Sequence, residues 1–165
     1  MKCANTGLAF AFAIVMFLTF DVAAGSFDPE IKVLTRALTK ALGEETNTGR
    51  PRVAEVRCGT VGGEDILVLV LNANDQPLTA ALRHGVLSDV TKTARVLKSW
   101  EWPLRVERVM IAERLWSSSE EERADQLLFT CIISSRRIRE IDWKSFDPAR
   151  IPDIADSAKF YDIVR

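Results

Sequence analysis

Asp89 is the acidic residue whose position most suggests chemistry. Between Asp75 and Trp100 the apolar residues recur at helical spacing, and at about 100° per residue Asp89 falls on their face. A carboxylate on a buried face needs donors, because burial without partners costs several kcal/mol. Asp89 is therefore either a site acid in a cleft or, in the interpretation we favour, a structural acid bonded to backbone N–H groups or an arginine. The apolar residues of this face are Leu78, Leu82, Val86, Val90, Ala94 and Leu97, together with Ala81, Val96 and Trp100.

Two residues near Asp89 on the same predicted helix bear on its role. Gly85 interrupts the same face one turn earlier, which predicts the close approach of another backbone. His84 is the sole histidine of the chain. Its helical phase places it almost opposite the apolar face, so it is expected to be solvated.

The motif inventory is sparse. There is no Gly-rich phosphate loop, no Cys-x-x-Cys, no histidine pair at metal spacing and no G-x-S-x-G. A zinc site would have to depend on carboxylates and on cysteines that alternate with core residues. We therefore expect no metal and no cofactor. An enzyme is unsupported by any motif, although it is not excluded.

A basic cluster is the main candidate for a binding surface. Arg136, Arg137 and Arg139 lie close in sequence to Trp143, a composition that suits an anionic partner. The favoured alternative is a solvated face whose arginines pair with nearby acidic residues, which are Glu140 and Asp142.

The amino terminus reads as an export signal. Lys2 precedes an apolar run from Leu8 to Phe20, and Val22 and Ala24 place small residues where a signal peptidase reads. The run is shorter than the ~20 residues of a membrane-spanning helix. The sequence thus predicts a signal peptide at 1–24 and a single extracytoplasmic domain at 26–165, periplasmic or extracellular. Membrane association is expected only if the signal remains uncleaved.

The net charge and the cysteines limit the possible partners and suggest one disulfide. The net charge of −1 provides no general attraction to nucleic acid. Removal of the signal leaves Cys58 and Cys131, which form a candidate disulfide in an oxidising compartment. The alternative is two buried thiols, and both cysteines are expected on the core side of their strands.

Hydrophobic periodicity predicts an α+β fold of the order helix–hairpin–helix–hairpin, αββαββ, with helices packed on one face of an antiparallel sheet. The polar segment Glu44–Arg52 is predicted to be an exposed loop, and a phase slip predicts a β-bulge near Glu107–Arg108. The unbroken apolar run within Glu64–Asn72 favours a central strand covered on both faces, or one near a subunit contact. The predicted elements are helices at Ser26–Gly43 and Asp75–Trp100 and strands at Val53–Thr60, Glu64–Asn72, Leu104–Leu115 and Ala124–Ser134.

A resemblance to known proteins extends over 71–160. The stretches LNANDQPLTAALRHGVLSDVTKTARVLKSW, VERVMI, IDWKSFD and IADSAKF resemble uncharacterised bacterial secreted or lipoprotein domains. The resemblance implies an extracytoplasmic α+β domain and implies no activity.

Two functions remain open from the sequence. The leading hypothesis is a small exported non-catalytic domain that binds a protein or an envelope partner. The alternative is a small exported hydrolase that uses Asp89 in a cleft. A deep pocket that exposes the Asp89 carboxylate would favour the hydrolase, whereas a sealed core would remove that carboxylate from consideration.

Overall fold

A computed structural model describes residues 28–77, 79–100, 105–116 and 125–162. The predicted signal peptide at 1–24 lies outside these ranges, as does Leu78. No helix in the described ranges is long and apolar enough to cross a membrane. The elements are α1 Asp28–Leu42, β1 Val53–Val61, β2 Glu64–Asn72, α2 Thr79–Lys98, β3 Arg108–Trp116, β4 Asp125–Ser134, α3 Ser135–Glu140, a 3-10 turn Pro148–Arg150, α4 Ile151–Ile154 and β5 Ser157–Phe160.

The five strands form one mixed sheet in the order β1-β2-β3-β4-β5. Helix α2 connects β2 to β3 as a crossover, so these two strands are parallel, whereas the other three pairs are antiparallel. The α+β class is confirmed. The expectation of an antiparallel sheet is wrong at its centre, and αββαββ is an incomplete description, because the tail adds the short helices and the edge strand β5.

The helices pack on one face of this sheet. Their buried side chains share one cluster with alternate residues of the strands, among them Leu69, Ile111 and Ile133. The opposite face carries a second, smaller cluster to which no described helix contributes, formed by Ile66, Val68, Val70, Met110 and Ile132. Strand β2 therefore contributes to both clusters, which confirms its prediction as a central strand buried on both faces.

Several predicted boundaries shift for local reasons. Helix α2 begins at Thr79, so Asp75 precedes the helix, and the Asp75 N–H donates to the Asn47 side chain at 2.8 Å. The predicted bulge at Glu107–Arg108 is wrong: the register of β3 shifts between Glu113 and Arg114. Gly43 has φ +103° directly after α1, as a glycine that ends a helix should.

The two cysteines are free thiols, so the candidate Cys58–Cys131 disulfide is wrong. Cys58 lies on β1 and Cys131 on β4, with β2 and β3 between them. Three steps across a sheet span about 14 Å, far beyond the reach of a disulfide. Both cysteines do pack toward the main core, as predicted: Cys131 is 1% exposed and Cys58 is half-buried against the same cluster.

We predict that alkylation of the denatured, non-reduced protein labels both Cys58 and Cys131, because neither is oxidised. In the native protein Cys131 should react far more slowly, because burial removes access and raises the pKa of its thiol. Mass spectrometry of the alkylated peptides measures both rates. Equal native rates for Cys58 and Cys131 would contradict this placement.

Candidate functional site

An ion pair between Arg52 and Asp89 lies inside the protein. The Arg52 Nη2 donates to Asp89 Oδ2, and the two side chains are only 2% and 9% exposed. Asp89 reaches this position because its helical phase points it inward among Val86, Val90 and Thr93 of α2. The prediction of a largely buried Asp89 that accepts from an arginine is confirmed.

The second carboxylate oxygen of Asp89 is also engaged. Lys92 Nζ lies 3.3 Å from Asp89 Oδ1, one turn along the helix, while the lysine side chain stays 45% exposed. Both oxygens therefore already have cationic partners. Such a carboxylate is positioned to hold structure together, not to accept a proton from a substrate.

A small cavity of about 170 Å³ borders Asp89. It is smaller than the roughly 300 Å³ at which ligand pockets usually begin. His84 is exposed, as predicted, but it lines this same cavity instead of lying far from Asp89. Gly85 also lines the cavity, and a methyl group at position 85 would meet nothing within 4 Å, so the predicted close approach of another backbone is wrong.

Arg52 is the functional residue that the sequence did not reveal. It ends a polar segment predicted to be exposed, yet it is 2% exposed. Its Nη1 donates to the Asn72 carbonyl at 2.6 Å, and the Asn72 N–H donates back to the Arg52 carbonyl at 2.9 Å. One side chain thus joins the segment before β1, the end of β2 and helix α2. In the sequence, the only indication that Arg52 is buried is its position between Pro51 and the first residue of β1.

Glu113 adds a second buried carboxyl to this region. It lies on β3 between Leu71 of β2 and Phe129 of β4, and it is 0% exposed. Within the described ranges neither of its carboxyl oxygens has a hydrogen-bond partner. Burial raises its pKa well above the ordinary value, nearby Asp89 raises it further, and Arg52 opposes the shift. A neutral, protonated Glu113 is the form that this environment favours.

The predicted arginine cluster is divided by the fold. Arg136 is 83% exposed and pairs with Glu140 at 2.8 Å on helix α3. Arg137 Nη1 donates to the Ile154 carbonyl, so it joins α3 to α4. Arg139 is exposed on the same short helix. The favoured alternative, in which acidic residues pair with this cluster, holds for Arg136.

Trp143 is a core residue. It is 1% exposed, its Nε1 donates to the Ile138 carbonyl at 2.7 Å, and its ring packs 4.9 Å from that of Phe146. Arg95 of α2 donates to the Trp143 carbonyl at 2.8 Å. These contacts give Trp143 a structural role and remove its indole from the surface that the arginines present.

An open groove of about 370 Å³ lies between α2 and the edge strand β5. Its floor is apolar: Leu82, Val86 and Leu128 are 2–3% exposed. Its rim is polar and largely exposed. The residues that line the groove are Thr79, Leu82, Arg83, Val86, Leu128, Phe160, Tyr161 and Asp162.

Packing fixes the β5 wall of the groove. The centroid of the Phe160 ring lies 4.5 Å from that of the buried Phe129 ring, and the Arg83 guanidinium lies 5.0 Å from the Phe160 centroid. The Tyr161 N–H donates to the Leu128 carbonyl at 2.9 Å. An apolar floor of suitable volume with a few polar groups at its rim is typical of a binding site.

Comparison of the chain with protein-family models, with curated proteins and with solved structures found no match. The resemblance to bacterial secreted or lipoprotein domains therefore stays a prediction. Among the described residues no group of three or more histidine, cysteine or acidic side chains is arranged to hold a metal ion.

We predict that Asp89→Ala lowers the free energy of unfolding by about 2–4 kcal/mol, because it leaves the buried Arg52 guanidinium without its counter-charge. Asp89→Asn should cost less, since the amide oxygen still accepts one bond. Urea denaturation measures both. The matched control is Asp153→Ala, whose side chain is 70% exposed, and it should change stability by less than about 0.5 kcal/mol. An Asp89→Ala curve that overlays the parent would contradict a structural role.

The buried Glu113 carboxyl should make the stability of the protein depend on pH. Its folded pKa exceeds the ordinary value of 4.5, so above that pH the folded state holds more protons than the unfolded state. The contribution of Glu113 to stability is therefore complete below that pH and is lost as the pH rises through the folded pKa.

Glu113→Gln should abolish this loss. The stability of the variant relative to the parent should rise with pH by up to about 1.4 kcal/mol per pH unit within that window. Urea titrations from about pH 5 to about pH 8 measure the two profiles. Parallel profiles would show that Glu113 ionises normally in the folded protein.

Proposed function

We propose that this protein is a small exported, non-catalytic domain that binds a segment of a protein partner in the groove between α2 and β5. The observation that carries the proposal is the groove itself: its volume of about 370 Å³ and its apolar floor suit a side chain of a partner. Export is supported by the apolar run before the domain and the small residues that follow it.

The position of the groove suits recognition of an extended segment. β5 is an edge strand of four residues, and among the described strands it pairs only with β4. A partner segment that pairs with its outer edge would place alternate side chains toward the groove. Arg83 and Thr79 on the helical wall would then contact its polar groups.

The contacts of Asp89 favour this function over the hydrolase. A hydrolytic acid must reach a substrate or a water molecule, whereas the Asp89 carboxylate is 9% exposed and both of its oxygens face cations. The groove itself offers Asp162 as its acidic side chain, together with Thr79 and Tyr161. None of the described residues that line the groove is a histidine or a cysteine.

Site-specific photo-crosslinking in the producing cells tests the proposal. A benzoylphenylalanine at Thr79, on the groove rim, should give one discrete adduct, which mass spectrometry then identifies. The matched control is the same probe at Ala80, the next residue of α2, which is exposed but does not line the groove. The adduct should be absent from the control.

A charge-reversal variant provides a second test of the groove. Arg83→Glu reverses the charge at the rim and should diminish the Thr79 adduct. Because the variant also loses the contact of Arg83 with the Phe160 ring, a thermal melt must show that it remains folded. Equal adducts from Thr79 and Ala80, or none from Thr79, would contradict a binding role for the groove.

A further inference from the structure

The other edge of the sheet has a different character from β5. β1 is an edge strand of nine residues, Val53–Val61, and among the described strands it pairs only with β2. It contains neither lysine nor proline, two residues that discourage an edge from pairing with another chain, and its register shift is confined to the start of the strand, between Val53 and Glu55. Pairing with a further strand therefore depends on whether its two charged residues, Glu55 and Arg57, find opposite charges on that strand.

The charges on β1 are self-complementary about one residue. Glu55 and Arg57 flank Val56 and lie on the same face of the strand, where Arg57 Nη1 is 3.2 Å from Glu55 Oε1. If two copies of β1 pair antiparallel about Val56, each Glu55 lies directly opposite the Arg57 of the other copy. A register centred on Arg57 would instead place two arginines opposite each other.

Exposed apolar side chains mark the same edge. Within the described ranges the exposed large hydrophobic residues are Val33 and Val61, at 41% and 37%. Val61 ends β1, and Val33 belongs to α1, the helix that packs on β1.

We infer that a second copy of this chain occupies the β1 edge, with the two β1 strands antiparallel and the two-fold axis at Val56. The five strands of each copy then form one continuous ten-stranded sheet. A C2 contact of this kind is isologous, so both Glu55–Arg57 pairs form together. The bulge between Val53 and Glu55 lies near the end of the paired region.

This interface is independent of the proposed groove. β1 and β5 are the two opposite edges of the sheet, so the dimer leaves both grooves at its far ends. Two grooves on one rigid body would allow two segments of a partner, or two partners, to bind at once.

Charge reversal with rescue tests the inference on the purified full chain. Sedimentation velocity should give a dimer for the parent. Glu55→Arg places like charges opposite each other at both symmetric positions, and Arg57→Glu does the same with acids. Each single variant should raise the dimer dissociation constant by about tenfold or more. The double variant E55R/R57E restores opposite charges in the same register, and it should return the constant to within about threefold of the parent.

Controls keep folding and association apart. The variant Arg136→Glu changes charge on a distant helix with an 83% exposed side chain and should leave the dimer unchanged. Thermal melts of all variants show whether each remains folded. A monomeric parent, a dimer insensitive to both reversals, or a double variant that fails to restore the dimer while remaining folded would each overturn the inference.

Discussion

The buried Arg52–Asp89 ion pair is the constraint on which the rest of the structure depends. Burying two charges is costly, and the cost is offset only if each charge keeps its partners. Asp89 keeps Arg52 and Lys92, and Arg52 also holds the Asn72 carbonyl. Because these atoms belong to the start of β1, the end of β2 and helix α2, the pair sets how the crossover helix sits on the sheet.

The position of α2 has two consequences. The helix covers Asp89 and leaves beside it a cavity of about 170 Å³, smaller than most ligand pockets. Leu82 and Val86, which border that cavity, also form part of the floor of the groove beside β5. The same helical turns therefore bury the acid and provide an open apolar surface. Glu113 adds a carboxyl that is best kept neutral, which limits how many charges this core contains.

The sequence predicted what depends on local periodicity. The strand Glu64–Asn72 and the burial of Asp89 follow from spacing alone, because side-chain direction repeats every 2 or 3.6 residues. Contacts between residues that are distant in sequence cannot be predicted from spacing. Arg52 lies in a polar loop, and its side chain is bonded to Asn72 of β2 and Asp89 of α2, which are both distant in sequence. The parallel pairing of β2 with β3, the separation of Cys58 from Cys131 and the burial of Trp143 all follow from the order of strands and from the tail.

A double-mutant cycle on Arg52 and Asp89 tests the central claim most directly. Asp89→Leu leaves the buried Arg52 guanidinium without its counter-charge, and Arg52→Met leaves the Asp89 carboxylate with Lys92 alone, whereas the double variant removes both buried charges. Chemical denaturation of the four proteins gives the coupling free energy. We predict a coupling free energy of about 2 kcal/mol or more, with the double variant more stable than either single variant. A coupling below about 0.5 kcal/mol would contradict the claim that this pair is the structural constraint, and it would return the Asp89 carboxylate to consideration as a functional acid.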